Sequence, residues 1–511
     1  MKNLAIHAAF LCIVAIILYY FRTYTVATVS TLAVASVITI IFGKRFFWET
    51  NLENKGWPGR EAFVPVIALL ITLIMQHVTV DRVVQTFLDK VDILGLILAF
   101  ALLSYGIGKS GFFEYAAYYF TKRAKGNTTG LILAIFILSS LLTYITSNDI
   151  VVLVLTPIIF SIAVYGNIAN PKQLFLSQFV AANTVSMGLL IGSPTNIIIA
   201  DKIHIAFLPY FLLMFGPFLV SFIVSSAVVY LVTTITNKKK SRVASLGWGY
   251  QKKYSLKHIS LRSVFTASMA YWLALFGFVV LLTAIATQLR TSLSWVALSG
   301  FFLGIISIIG SARMHKETAR AALGDAFAKL PYSIIPFGMC FFVFAAEVAS
   351  SDFVLTQVLP LVDQLLQQNS IIVGLVGVFF SGFLVNLLND LPSAALLSEI
   401  ISQTSDYGSL PYWTLVQSVL IGINIGCYLT PIGALAGIVW FNMLRVERKR
   451  QETLKKEIEA TGQFFFGNVD ILTPSRLDLT LYGFIQFIIV GSVTTVINAL
   501  FLTTWWELLL H

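Results

Sequence analysis

Thr146-Ser147-Asn148-Asp149 interrupts a long apolar run, and Leu388-Asn389-Asp390-Leu391-Pro392 interrupts a second one, the two Asn-Asp pairs standing 241 residues apart. Each pair is followed 34 residues later by an Asn in another apolar stretch: Asn183 after Asp149, and Asn424 after Asp390. Each of those stretches is then cut by a hydroxyl-proline pair, Ser193-Pro194 in one half and Thr430-Pro431 in the other. Matched polar interruptions in two halves of an apolar chain point to the binding site of a transporter.

Composition puts these motifs in a bilayer. The 511 residues are 57% hydrophobic and 11% charged, with mean hydropathy +0.85. Soluble domains carry about 25% charged residues and could not cover so much apolar surface. Runs long enough to cross a membrane fall at 4–21, 26–43, 64–80, 93–110, 174–200, 207–235, 267–288, 292–311, 332–350, 411–444 and 479–501. The runs at 129–166 and 370–404 differ, each being two short apolar arms around a polar tip. Non-helical backbone at membrane depth is tolerated inside protein or along a cavity, so both read as re-entrant hairpins. The expected fold is an all-α polytopic membrane protein with about 11 transmembrane helices and two such hairpins.

The net charge of +10 matters less than where it lies. Lys and Arg cluster at Lys44/Arg45, at Lys122, Arg123 and Lys125, at Lys238-Lys239-Lys240, at Arg313, Lys316 and Arg320, and from Arg445 to Lys456. Threading the chain from a cytoplasmic N-terminus places roughly 29 of the 34 basic residues on one side, which the positive-inside rule makes cytoplasmic. A shift of one span destroys that bias. The C-terminus then lies outside, and the protein is expected as a multi-pass protein of the plasma membrane. No soluble basic face exists for nucleic acid.

Cys12, Cys340 and Cys427 sit in apolar segments without metal or disulfide spacing. Cys427 reads as a small buried hydrophobe. Residues 4–21 are followed by Arg22 and a second span, with no small-residue cleavage site, so they read as an anchor rather than a signal peptide.

The chain divides at its long central polar stretch. Residues 1–25 form an additional N-terminal transmembrane helix, 26–236 a first repeat, 237–266 a cytoplasmic linker, 267–444 a second repeat, 445–478 a charged cytoplasmic segment, and 479–511 a C-terminal transmembrane helix. The offset of 241 also brings Ser110 and Phe112 onto Ser351 and Phe353. The first repeat enters its leading span from outside and the second from inside, so the repeats are inverted, as in many secondary transporters. Residues 316–331 read as an amphipathic surface helix, and Glu347 as an interfacial residue near a span end.

At the first tip, Ser147, Asn148 and Asp149 occupy the N-cap and first turn of the helix that Ile150-Val151-Val152 begins. Caps alone would explain them in a soluble protein. Acids at membrane depth are costly and mark function by default, and here Asp149 has a counterpart in Asp390 beside Asn389. Ser193 and Thr430 each precede a Pro, a hydroxyl N-cap followed by Pro at N1, which restarts a helix. Such a break frees carbonyls on one side and N–H groups on the other, suited to cations and anions respectively. Thr195 and Asn196 extend the polar set of the first half, and Thr184 follows Asn183. Ser147, Asn148 and Asp149 supply the hard oxygens that a sodium ion needs.

Two segments resemble a known family. Gly422-Ile-Asn-Ile-Gly-Cys-Tyr-Leu-Thr-Pro-Ile-Gly-Ala-Leu-Ala-Gly-Ile-Val-Trp440 is similar to the second-half signature of the bacterial arsenite/antimonite pump family, and Ser147-Asn-Asp-Ile-Val-Val-Leu-Val-Leu-Thr-Pro157 resembles its first hairpin. That family belongs to the wider superfamily of sodium/proton antiporters and sodium-coupled dicarboxylate carriers. The resemblance covers residues 26–501, with its specific motifs at the two tips and two breaks. It implies an elevator-type transporter, commonly a homodimer, with tips and broken helices enclosing the substrate. The chain departs from the pattern at Cys427-Tyr428 and at Asp390, where relatives often carry a second Asn.

The expected function is secondary active transport without enzymatic activity or cofactor, coupled to protons or sodium. Efflux of arsenite, antimonite or a similar small solute in exchange for protons leads. A neutral hydroxide needs hydroxyl and amide partners, which the motifs offer. Sodium/proton exchange is the alternative, with sodium-coupled organic-anion uptake ranked after it because no Lys or Arg stands in either tip. A membrane-embedded enzyme using Asp149 and Asp390 is a remote reading, since no nucleophile or His-rich metal motif lies in a span. A channel is a further rival.

Overall fold

Apolar helices dominate the computed structural model, which describes residues 60–124, 127–165, 171–244, 263–314, 317–330, 334–430 and 476–509, with single positions between 433 and 444. The helices are α1 (Arg60–Ile74), α2 (Val80–Ser110), α3 (Phe112–Arg123), α4 (Thr128–Ile145), α5 (Asn148–Tyr165), α6 (Pro171–Ser186), α7 (Pro194–Lys202), α8 (Phe207–Ala244), α9 (Ala267–Gln288), α10 (Ser294–Met314), α11 (Ala319–Lys329), α12 (Ile334–Ala349), α13 (Leu359–Leu366), α14 (Ser370–Leu388), α15 (Asp390–Ile401), α16 (Leu410–Gly426) and α17 (Arg476–Leu509). A 3₁₀ turn, Leu190–Gly192, precedes α7, and a π-helical turn, Val354–Val358, precedes α13. Seven of the described helices are long and apolar enough to cross a membrane, or eight if the bent pair Ile335–Ala349 and Val354–Leu366 counts as one. This is a polytopic membrane protein.

The expected spans at 4–21 and 26–43, most of the 237–266 linker and most of the 445–478 segment lie outside the described residues. Three details differ from the sequence reading. The helix expected over 93–110 starts at Val80, because Thr79 caps it by accepting from the Arg82 N–H at 3.2 Å. Its first turns carry Asp81, Arg82, Asp89, Lys90 and Asp92, whose charge breaks the apolar run without breaking the helix. The leading arms α4 and α14 have 18 and 19 residues and are span-length, not short. Polar tips locate the turn of a hairpin but not the length of its arms. Helix α8 continues to Ala244, eight residues into the expected linker.

The elements recur at nearly the offset of the motifs, α4 and α14 starting 242 residues apart and α6 and α16 239 apart. Helices α4 and α14 begin after Asn127 and Asn369, whose side chains cap the first N–H groups at 3.1 and 2.9 Å. Each is followed by a tip, a second arm (α5, α15), and a buried helix (α6, α16) that begins near a proline, Pro171 or Pro411. Ahead of them, Gly111 at φ +86° ends α2 in the left-handed region that glycine favours and lets α3 turn away.

Burial follows from side-chain size and lipid. Ile372, Val376, Phe380, Phe383 and Leu387 expose an apolar stripe along α14, while Val373, Gly377, Ser381 and Val385 face inward. The inward face is small, so α14 packs closely on α16 along Gly377, Ser381 and Gly382 against Ser418, Gly422 and Gly426. Small residues are what let membrane helices approach. Helix α6 is buried along nearly its whole length, and α16 from Thr414 to Gly426. Two groups of helices result. Helix α2 packs with α9, α10 and α12; helices α4, α5, α6 and α8 pack with one another and, through α8, on α17, which also meets α14 and α16, while α7 packs on α15 and α16. The contacts of α15 with α12 and of α7 with α2 join the groups.

Candidate functional site

Four chain interruptions converge. At the first tip, Ser147 is the N-cap of α5, its carbonyl accepting from the Val151 N–H at 3.1 Å. Its hydroxyl makes no hydrogen bond to another described residue. Asn148 is 3% exposed, and its Oδ1 accepts from the Asp149 N–H at 2.9 Å. The Asn148 amide reaches across to Asn183 of α6, donating to Oδ1 at 3.3 Å. Asn183 in turn donates to the Phe179 carbonyl at 2.9 Å. The first tip and the first broken helix are thus joined by a pair of carboxamides. Gln178 adds a second tie, donating to Thr156 Oγ1 of α5 at 2.9 Å.

The second tip is tighter. A single residue, Asn389, separates α14 from α15, at φ +78° and ψ 165°. That region is close to glycine-only, and a non-glycine residue there stores strain of about 1–3 kcal/mol. The turn aims Asp390, only 6% exposed, into the protein. Its Oδ1 accepts from the Leu391 N–H at 2.9 Å, and Ser393 donates to the Asn389 carbonyl at 2.7 Å.

At the first break the expected hydroxyl cap is replaced by another contact. Ser193 makes no side-chain cap on α7, and its hydroxyl bonds the Thr195 hydroxyl at 2.8 Å. Thr430 donates to Asn386 Oδ1 at 2.6 Å, and the Asn386 amide donates to the carbonyls of Gly382 and Gly426, both at 2.8 Å. Asn386 therefore clamps the end of α16 to the arm α14. The residue 241 positions earlier is Ile145, so the first half has no such clamp.

The two halves meet directly. Asn424 donates to Asn196 Oδ1 at 3.0 Å and to the Leu420 carbonyl at 2.8 Å. Ser186 donates to Asn424 Oδ1 at 2.7 Å, and Asn196 donates to the Ser186 carbonyl at 2.7 Å and the Leu189 carbonyl at 3.0 Å. The hydroxyls of Thr184 and Tyr428 hydrogen-bond across the same seam. Cys427 is buried, at 2% exposure, just past the end of α16. Its Sγ contacts the carbonyls of Ile423 and Gly433 at 3.2 and 3.3 Å. Beyond the break, Trp440 stacks on Phe179 with ring centroids 4.8 Å apart.

Of the residues singled out from sequence, Asn148 with Asn183, Asn196 with Asn424, and Ser193 with Thr195 are bonded pairs. Asn183 and Asn424 are not bonded to each other. Ser186, Asn386, Gln178 and Tyr428 were missed. Ser186 alone carried a signal, standing one turn after Asn183 on the same buried helix. The described hydrogen bonds here run among amides, hydroxyls, thiol and carbonyls, with two carboxylates beside them. Such a set can strip water from a small uncharged hydroxide or hold a cation.

Comparison with known proteins finds matches among membrane transport proteins. A model of the citrate transporter family CitMHS matches residues 37–422, a stretch that includes both tips and Asn183. The arsenical pump membrane protein of Escherichia coli (strain K12) is 25% identical over 388 residues, covering 75% of this chain and 83% of that protein. That of Yersinia enterocolitica is 24% identical over 451 residues, 87% of this chain and 96% of the relative. A 46 kDa membrane protein of Mycobacterium leprae is 20% identical over 364 residues, 69% and 78% of the two chains. The chain belongs to the CitMHS citrate transporter family.

Proposed function

We propose that this protein is a secondary active transporter that exports arsenite, antimonite or a similar small hydroxylated solute in exchange for protons. The observation that carries the reading is the cross-half knot of Asn424, Asn196 and Ser186 beside two intramembrane carboxylates. Solute sits between Asn148, Asn183, Ser193 and Thr195 on one side and Asn389, Asn424 and Thr430 on the other. Asp149 and Asp390 carry the coupling protons; in a sodium-coupled cycle Ser147, Asn148 and Asp149 hold the ion. The recurrence of the same order of elements at nearly one offset supports an inverted repeat. The two helix groups support an elevator, the α4–α8 and α14–α17 group moving against the other within a homodimer, in the plasma membrane with a cytoplasmic N-terminus.

The second reading, coupled uptake of citrate or another organic anion, is favoured by the name of the matching family. It ranks lower because the hydrogen-bonding set at the site is built of amides and hydroxyls. Inverted vesicles separate the two. Radiolabelled arsenite should accumulate when the lumen is acid and leak back on adding a protonophore. Accumulation of citrate with arsenite flux at background would overturn the arsenite reading.

A further inference from the structure

The ends of α7 and α15 remote from the site meet a second cluster of charge. Lys202, the last residue of α7, pairs with Glu399 of α15 at 2.6 Å. Lys90 of α2 pairs with Asp201 of α7 at 2.8 Å, and Arg82 of α2 with Glu347 of α12 at 3.3 Å. Between these pairs lies a cavity of about 130 Å³, with Thr86 and Ser398 in its wall. Helices α7 and α15 pack side by side and begin at the site, with Pro194 and Asp390. At 1.5 Å per residue they put the cavity roughly 12–14 Å from it.

The charge of this cavity is informative. Arg82, Lys90 and Lys202 are each matched by a carboxylate, and Asp89 adds a fourth acid that has no ion pair among the described residues. Of the acids only Asp89 and Glu399 stand in the wall itself, but each of its three cations is held in an ion pair, so no unpaired cation in the wall concentrates an anionic solute. A neutral solute bearing hydroxyls meets carboxylates and hydroxyls that can bond it. The Lys90–Asp201 pair is distinct in position: among the described residues it is the ion pair that ties the broken helix α7 to the other helix group. Its side chains are 14% and 35% exposed, more shielded than an ordinary surface pair.

We propose that this cavity is a mouth through which a neutral, hydroxyl-bearing solute passes to and from the site, and that the Lys90–Asp201 pair is the latch that holds it shut. The proposal rests on the transporter reading given above. Movement of α7 and α15 relative to α2 and α12 breaks the latch, while the Lys202–Glu399 pair travels intact because both partners belong to the moving helices.

The test is Ser398→Cys on a background lacking Cys12, Cys340 and Cys427, in vesicles of both orientations, probed with charged methanethiosulfonate reagents. Modification should run about fivefold faster in Lys90→Met and in Asp201→Asn, the effect of losing about 1 kcal/mol of pairing. It should return to the parent rate when Lys90→Asp and Asp201→Lys are combined. Equal rates in all four proteins would overturn the latch. Relative to a free thiol, the cationic trimethylammonium-ethyl reagent should be preferred over the anionic sulfonatoethyl reagent; the reverse preference would overturn the charge assignment. The adduct should block solute flux, and unaltered flux through fully modified protein would overturn the mouth. Absence of flux in the parent protein would instead overturn the transporter reading, and the labelling rates would still decide the latch.

Discussion

The carboxamide of Asn424 donates to that of Asn196 at 3.0 Å, joining helices 228 residues apart in sequence and closing the two halves on each other. Both residues are almost fully buried, at 4% and 0% exposure. Ser186 completes the knot by donating to Asn424 Oδ1. A buried polar group that loses its partner keeps its desolvation cost, about 1–3 kcal/mol. Asn424→Ala should therefore lower stability by that amount, and so should Asn196→Ala. The double variant should cost clearly less than the sum, because the second substitution removes a group that the first has already orphaned. Unfolding of the detergent-solubilised protein, followed as a two-by-two cycle, measures this. Strict additivity would show that the knot is not a cooperative unit.

Asp149→Asn and Asp390→Asn test coupling without testing the fold. Each replacement keeps size and removes a charge at the start of a buried helix. Coupled flux should fall at least tenfold in each, while the unfolding midpoint stays within a few degrees of the parent. Flux at parental levels in both variants would remove these acids from the coupling mechanism.

The tips were legible in sequence because Asn-Asp inside a long apolar run is costly and therefore conspicuous. The first broken helix was legible because Ser193-Pro194 restarts a helix at Pro194; after Thr430 the next described positions, Gly433 and Ala434, are bends. Asn386 was not legible. A single Asn among Leu384, Val385, Leu387 and Leu388 has no periodicity or motif to mark it, and its role depends on Thr430 lying 44 residues further on. The span expected over 93–110 omits the charged start of α2 because hydropathy falls there, although Lys90 and Asp201 compensate each other across 111 residues. Sequence offset also hid a difference between the halves: Asn148 and Asn389 align, yet Asn389 alone of the two has a left-handed φ.

That difference can be measured at Asn389. Its backbone sits where glycine is at ease, so Asn389→Gly should stabilise the protein by about 1 kcal/mol through relief of strain. The same substitution removes a carboxamide from the site and should weaken apparent solute affinity. Asn389→Ala should weaken affinity equally without any gain in stability. A lower unfolding midpoint for the glycine variant would show that the side chain, rather than the backbone, governs this turn.

The seam between α14 and α16 predicts a contrast among glycines. A Cβ at Gly426 would come within 2.5 Å of Gly382 Cα, and one at Gly422 would strike Ser381 Oγ and the Val378 carbonyl. Backbone cannot retreat cheaply, so Gly426→Ala and Gly422→Ala should each cost about 1–3 kcal/mol. Gly277 of α9 has no atom within 4 Å of the same position. There Gly277→Ala should be neutral or stabilising by up to about 1 kcal/mol from helix propensity. Equal effects at all three sites would contradict the close approach of the two helices.

The last prediction concerns sidedness. Lys202 of α7 and Glu399 of α15 form an ion pair, and the Tyr407 hydroxyl lies 3.4 Å from the Ile203 carbonyl, so the ends of the first broken helix and of the second hairpin share one membrane face. Lys90 of α2 joins them through Asp201. Lys109, at the other end of α2, is 19 residues on, a rise of roughly 28 Å and close to the hydrocarbon thickness of a bilayer. It pairs there with Glu317 at 2.9 Å, near Arg313, the basic residue in the last turn of α10. Lys122 and Arg123 follow at the end of α3, immediately before α4. A basic face at the Lys109 end and a mixed face at the Lys90 end is what the positive-inside rule leads one to expect of cytoplasm and exterior. Asn127→Cys and Asp406→Cys, each alone on a cysteine-free background, should then react with an impermeant thiol reagent from opposite sides: Asn127→Cys in inverted vesicles and Asp406→Cys in intact cells. Both positions are exposed, so access does not limit either reaction. Labelling of both from the same side would refute the inverted arrangement of the halves.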